Sequence, residues 1–201
     1  MNKLATFMTI SLLSITLAGC GSKGASQNGS SSDKTSSSKK TSASALNYQN
    51  FQSVKVGSFV DGSGSTTAYV RKALGKPTST TTTKVSGKES KTYVWSNLNS
   101  SFKAKDVTIS FENGRAIAKG YANADINHLK ALNHQKVNSI KIGDSYNSVI
   151  QKLGQPSSES ESGSGNISIR SVVYLTGKNG ESTSFVFNGD KVNQITKSEL
   201  K

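Results

Sequence analysis

The chain is 201 residues long, carries a formal net charge of +13 and is 33% hydrophobic, with the apolar shortfall concentrated between Gly21 and Ala45. Its single cysteine excludes an intrachain disulfide, so stability must come from packing in the remaining ~155 residues, enough for one domain or two small ones. The positive excess favours anionic surroundings such as lipid headgroups or wall polymers.

Residues 1–19 read as a leader. Lys3 precedes an apolar stretch with Leu4, Phe7, Ile10, Leu12, Leu13 and Ile15, which ends in Leu17-Ala18-Gly19-Cys20. That stretch is too short and too interrupted by Ser and Thr for a membrane span of about 20 residues. Small residues before the cut let an extended backbone enter a peptidase cleft, and the Cys20 sulfur is placed to accept a diacylglyceryl thioether. Leu-Ala-Gly-Cys resembles the lipobox of bacterial lipoproteins, which implies lipidation at Cys20, anchoring in the bilayer and residence on the extracytoplasmic face of the cell membrane, of Gram-positive type. A structural thiol at Cys20 fits poorly, because Gly, Ser and Lys follow it instead of a foldable pattern. Residues 20–44 then read as a disordered Ser/Gly/Lys-rich tether with an end-to-end distance of roughly 25 to 30 Å. An exported chain is not expected to meet nucleic acid.

The foldable pattern begins near Ala45. Leu46, Phe51 and Val54 recur at helical spacing, and after Gly57 a Gly/Ser insertion over residues 61–65 is expected to be mobile, with a role in contact as the lesser alternative. Thr66 is placed to cap a second helix through Val70, which Gly75 ends and Pro77 forbids from continuing. Strands are expected over 79–85, 90–97, 105–111 and 115–122, with Val107, Ile109 and Phe111 on one face and Asn113-Gly114 as a tight turn.

The same order then recurs. Ala45-Leu-Asn-Tyr-Gln-Asn-Phe-Gln-Ser-Val-Lys-Val-Gly57 aligns without gaps on Ala131-Leu-Asn-His-Gln-Lys-Val-Asn-Ser-Ile-Lys-Ile-Gly143, with identity at Ala, Leu, Asn, Gln, Ser, Lys and Gly. Val70-Arg-Lys-Ala-Leu-Gly-Lys-Pro77 matches Val149-Ile-Gln-Lys-Leu-Gly-Gln-Pro156, Ser145 stands in the capping position of Thr66, and strands are expected over 157–162, 166–176, 182–187 and 191–198. The expected architecture is α+β: two tandem helix-helix-four-strand units, 45–122 and 123–201, the second preceded by a connecting helix. Their antiparallel sheets join into one curved sheet with helices on one face.

Leu-x-x-x-x-Phe-x-x-Val-x-Val-Gly, then Val-x-x-x-Leu-Gly-x-Pro, then Tyr-x-Trp, resembles the tandem units of the β-lactamase inhibitor protein family. It is also similar to related lipoproteins of Gram-positive bacteria and to the single-unit small lipoprotein of the outer-membrane β-barrel assembly machinery. The resemblance covers Ala45 to Lys201 and implies a sheet surface used to grip a protein. The inhibitor's disulfide cysteines are missing here and its enzyme-contacting residues find no counterparts, so binding of a β-lactamase is not carried over.

Catalytic chemistry has little to build on. The histidines are His128 and His134, the latter in the slot of Tyr48, and the carboxylates are scattered, with Glu159 and Glu161 in a Ser-rich strand or loop. No metal site, cofactor site or activated nucleophile stands out. Tyr93 and Trp95 align with Val173 and Leu175 and are expected to pack under the helices. Tyr174 then aligns with Val94 and is expected on the uncovered sheet face as a binding anchor, flanked by Arg170, Lys91 and Lys191. The expected function is non-enzymatic binding of an extracytoplasmic protein through that face. The alternative is binding of an anionic wall polymer or peptidoglycan through the basic surface.

Overall fold

The structure, a computed structural model, describes residues 46–58, 61–85, 87–96, 98, 102–122 and 130–198. The leader, Cys20, the tether, His128 and the connecting helix expected after Ala122 lie outside the described residues.

Two short helices come first, α1 (Tyr48–Ser53) and α2 (Thr67–Leu74). Asn47 caps α1 by accepting from the Asn50 amide at 2.8 Å, and Thr66 caps α2 by accepting from the Tyr69 amide at 3.1 Å. Gly75 closes α2 at φ 83°, a left-handed conformation that a side chain would strain. Four strands follow: β1 (Ser79–Val85), β2 (Lys88–Trp95), β3 (Asp106–Glu112) and β4 (Arg115–Ala122). Then come α3 (His134–Asn138), α4 (Tyr146–Leu153), β5 (Ser158–Ser162), a short 3-10 helix over Gly165–Ile167, β6 (Ile169–Leu175), β7 (Ser182–Asn188) and β8 (Lys191–Ser198). Asn166 and Ile167, expected to open a strand, lie in that 3-10 helix.

All eight strands form one antiparallel sheet in the order β1 to β8. The β3–β4 turn has both Asn113 and Gly114 at positive φ, as a tight hairpin turn requires. Register shifts between Ser110 and Phe111, and again between Val186 and Phe187, mark bulges near the two hairpin ends.

Residues opposed in an antiparallel ladder share a face. Lys91, Tyr93 and Trp95 are opposite Phe111, Ile109 and Val107; Lys119 and Tyr121 are opposite Glu161 and Glu159; Val172 and Arg170 continue the row to Phe185 and Phe187. This face carries the core and is the one the helices cover. Lys119 Nζ reaches the carbonyls of Phe51 in α1 and of Val54 just after it, while Trp95 and Tyr174 reach the glycine carbonyls that end α2 and α4. Buried apolar side chains gather in two clusters: Phe51, Val70, Trp95, Ile109 and their neighbours under α1 and α2, and Val137, Val149, Tyr174, Phe185 and theirs under α3 and α4. Tyr93 packs against the first of them, as the sequence suggested.

The 61–65 insertion is tied down where the sequence suggested a mobile loop. Ala116 receives Gly57 N at 2.9 Å on its carbonyl and donates to the Ser65 carbonyl at 2.9 Å. Gly64 passes so close that a Cβ there would sit 2.0 Å from the Ala116 oxygen. Asp61 collects the amides of Ser58 and Ser63 and the hydroxyls of Ser63 and Ser164. Those hydrogen bonds, that from Ser164 foremost, hold its carboxyl well below the usual carboxylate range.

Candidate functional site

Two features of the sheet bear on function: a buried polar cluster on the covered face where β4 meets β5, and the composition of the opposite face. The cluster forms because Glu159 and Glu161, two residues apart on a strand, must point the same way, and the β4–β5 register sets them opposite Tyr121 and Lys119. Lys119 Nζ lies 3.2 Å from Glu161 Oε2 and 2.8 Å from the Val54 carbonyl. Arg170 pairs with the same Glu161 oxygen at 2.7 Å and lies with its guanidinium carbon 3.7 Å from the centre of the Tyr146 ring. Glu159 accepts from Tyr146 Oη at 2.8 Å, from Gln52 Nε2 at 2.9 Å and from Tyr48 Oη at 3.2 Å. Two cations thus face two carboxylates, and each carboxylate is hydrogen-bonded or ion-paired, the condition under which buried charge is tolerated.

Burial, reinforced by the charge of Glu159, keeps the hydroxyls of Tyr48, Tyr121, Tyr146 and Tyr174 protonated far above the ordinary tyrosine range. Burial also pulls the Lys119 ammonium down, with Glu161 and Glu159 opposing it. Every member has a structural partner, so the cluster fastens α1 and β4 to α4, β5 and β6. The sequence held its signal in the Glu-x-Glu alternation, but the partners Lys119 and Arg170 came into reach only with strand pairing.

Among the described residues no helix covers the other face of the sheet. Ser79, Thr81, Thr92, Thr108, Ser160 and Ser184 are typical of it, all half-buried or exposed, and Thr92 and Ser110 share a hydroxyl hydrogen bond at 3.1 Å. The charged strand residues that fall on this side, Lys88, Asp106, Glu112, Arg115 and Lys191, stand at strand ends. An apolar diagonal of Ile169, Val186 and Val173 crosses β6 and β7 among serines, and Ile169 is 46% exposed. Ile167, beside it in the 3-10 helix, is 64% exposed.

The expected binding residues scatter over both faces. Tyr174 is 1% exposed, in the second core cluster, and donates to the Gly154 carbonyl at 2.9 Å; it is no surface anchor. Register is the reason: Trp95 pairs with Val107 beside Tyr93 and Ile109, Tyr174 pairs with Thr183 two places along from Val172 and Phe185, and so Tyr174 stands where Trp95 stands. The alignment with Val94 is one residue out of register, which exchanges the faces. Arg170 is a member of the buried cluster and not a free cation. Lys91 is half exposed on the covered side, 3.1 Å from Glu89. Lys191 alone stands on the open side, exposed at the start of β8, in a shallow depression with Asn166, Asn188 and Asn193. Ile167 and Ile169 were missed because in sequence they look like ordinary strand residues. Among the described residues, no three His, Cys, Asp or Glu side chains gather as they would around a metal.

Comparison with known proteins places this architecture. A crystal structure of a Streptococcus mutans protein, described as a "putative beta-lactamase inhibitor protein", superposes with a TM-score of 0.59 at 18% identity, covering 76% of this chain and 95% of that one. At that identity the likeness is one of fold, α+β with one eight-stranded antiparallel sheet. No curated protein matches the sequence. A family model described as "Domain of Unknown Function with solved-structure structure (DUF3862)" matches residues 44–200, every described residue included. The chain therefore belongs to the DUF3862 family.

Proposed function

We propose that this is a lipoprotein of the cell surface, anchored through acylated Cys20 after removal of residues 1–19, whose tandem-repeat domain binds a protein outside the membrane through its open sheet face. The observation that carries the binding reading is the asymmetry of the sheet. One side is sealed by helices over two cores, while the other presents small hydroxyls around a diagonal of the exposed Ile169 and the partly buried Val186 and Val173. Such a face offers hydrogen-bond donors and acceptors with little side-chain entropy to lose and an apolar centre that water solvates poorly.

Duplication is supported by hydrogen bonds that recur with the sequence repeat. Gly57 donates to Ala116 and Gly143 to Val192, and Thr67 and Tyr146 donate to Gly114 and Asp190 in the two hairpin turns. The Streptococcus mutans protein is described as a "putative beta-lactamase inhibitor protein", a description that names another protein as its target. That likeness supports a binding role here and does not extend to a particular partner.

The test is site-specific photocrosslinking in cells. A photoreactive residue at Ser171 or Ser184, on the open face, is expected to give a discrete adduct, and one at Gln151, exposed on α4, is expected to give none with the same protein. Adducts from Gln151 alone would sink the reading. Anchoring is tested separately: intact mass of the chain extracted from membranes carries a diacylglyceryl increment on the peptide beginning at Cys20, and Cys20→Ser releases the protein from the membrane.

A further inference from the structure

The buried cluster balances two cations with two carboxylates, so the positive excess of the folded region resides on its surface. It is not spread evenly. Residues 46–76 and 131–156, the helices and their connections, carry seven Lys and Arg against Asp61 and Asp144 alone. Lys55, Arg71, Lys72, Lys136, Lys141 and Lys152 are all exposed. The two aspartates are occupied, Asp61 by the hydrogen bonds of its own loop and Asp144 by the Lys141 amide and the Lys152 ammonium. The open face holds charge only at its margins, with both signs present.

The helix layer also exposes apolar side chains among these cations. Tyr69 is 45% exposed on α2 two residues before Arg71, and Ile142 is 61% exposed directly after Lys141. Val56, which occupies the place of Ile142 in the first copy of the sequence repeat, is 9% exposed. An isoleucine left in water beside a lysine gains nothing in the free protein. At a bilayer, cations meet anionic headgroups while neighbouring apolar tips reach the acyl boundary.

We infer that the helix layer is the membrane-facing side of the domain: its cations and the tips of Tyr69 and Ile142 rest on an anionic phospholipid surface, and the open sheet faces away toward its partner. This deepens the proposed function and rests on its placement at the membrane. Each cation brought to such a surface changes partitioning by about fivefold at moderate salt.

The experiment uses residues 21–201, which keep both cores whole and lack the leader and Cys20, in cosedimentation with vesicles of phosphatidylcholine alone or with one quarter phosphatidylglycerol. Binding is expected only with phosphatidylglycerol. Arg71→Glu/Lys72→Glu/Lys141→Glu should lower partitioning by about 100-fold or more. Ile142→Ser should lower it about tenfold while leaving the salt dependence unchanged. Thr81→Glu/Lys88→Glu/Ser160→Glu places negative charge on the open face instead and should alter it by less than about threefold, given the short Debye length. Circular dichroism and urea midpoints verify folding of each variant.

Equal losses from the two triple variants, or no preference for phosphatidylglycerol, overturn the inference. So does a null effect of Ile142→Ser together with equally tight binding to soluble poly(glycerol phosphate), which would assign the layer to a wall polymer. Failure to find acylation on Cys20 removes the anchor reading and leaves the vesicle result standing, so the two failures are distinguishable.

Discussion

Trp95 and Tyr174 make the same hydrogen bond from different strands: the indole Nε1 donates to the Gly75 carbonyl at 3.1 Å, and the tyrosine Oη donates to the Gly154 carbonyl at 2.9 Å. Each glycine ends a helix, so each aromatic ring both fills the core and satisfies a helix-terminal carbonyl that lacks a partner within its helix. Sheet and helices are thereby pinned at equivalent points by different chemistry.

Tyr174→Phe keeps the ring and loses that bond, with an expected cost of about 1 kcal/mol. Tyr174→Ala empties a large core position and should cost about 3 to 5 kcal/mol. Urea titrations check both, and an unchanged slope with a lowered midpoint identifies a loss of stability. A Tyr174→Ala protein that remained as stable as wild type would contradict the burial of this ring.

Lys119→Ala removes the ammonium that Glu161 and the Val54 carbonyl share. Breaking a buried pair from one side costs about 3 to 5 kcal/mol, because the remaining partners keep their desolvation penalty. Glu161→Gln should cost less than Lys119→Ala, since an amide oxygen can still accept from Lys119 and Arg170. Chemical denaturation of the two variants side by side tests the order.

Alkali should unfold this protein steeply. The buried tyrosines hold their protons in the folded state far above the ordinary value near 10, so above that pH the unfolded chain loses protons that the native state keeps. Stability is fully present below about pH 10 and is lost as pH rises through the raised folded values, by about 1.4 kcal/mol per pH unit for each such tyrosine. Lys119 acts with the opposite sign, its lowered value making stability rise with pH until its unfolded value of 10.5 is passed, but it is one group against several. Tyr146→Phe should therefore flatten the fall of the urea midpoint between pH 10 and 11.5.

Gly64→Ala tests the packing of the 57–65 loop on β4. A Cβ at 2.0 Å from the Ala116 oxygen cannot be accommodated without moving backbone, and the expected cost is about 1 to 3 kcal/mol or more. Gly62→Ala, with nothing near its Cβ but φ at 58°, should cost about 1 kcal/mol from backbone strain alone. Thermal melts of the two variants separate the clash from the strain.

The sequence by itself determined the local elements. Capping by Thr66 and Ser145, termination at Gly75 and Gly154, the Asn113-Gly114 turn and the alternation of Val107, Ile109 and Phe111 all act over a few residues, where side-chain chemistry and backbone sterics suffice. The α+β class with antiparallel strands was legible in the same way, through motifs recurring in order. Tertiary structure alone decided which residues meet across the strands. Pairing of β4 with β5 brought Lys119 to Glu161, and the register of β6 against β7 sent Tyr174 and Arg170 inward while leaving Ile169 outside. Strand side chains repeat every two residues, so one step of register exchanges core for surface, and that step is fixed by contacts between segments distant in the chain.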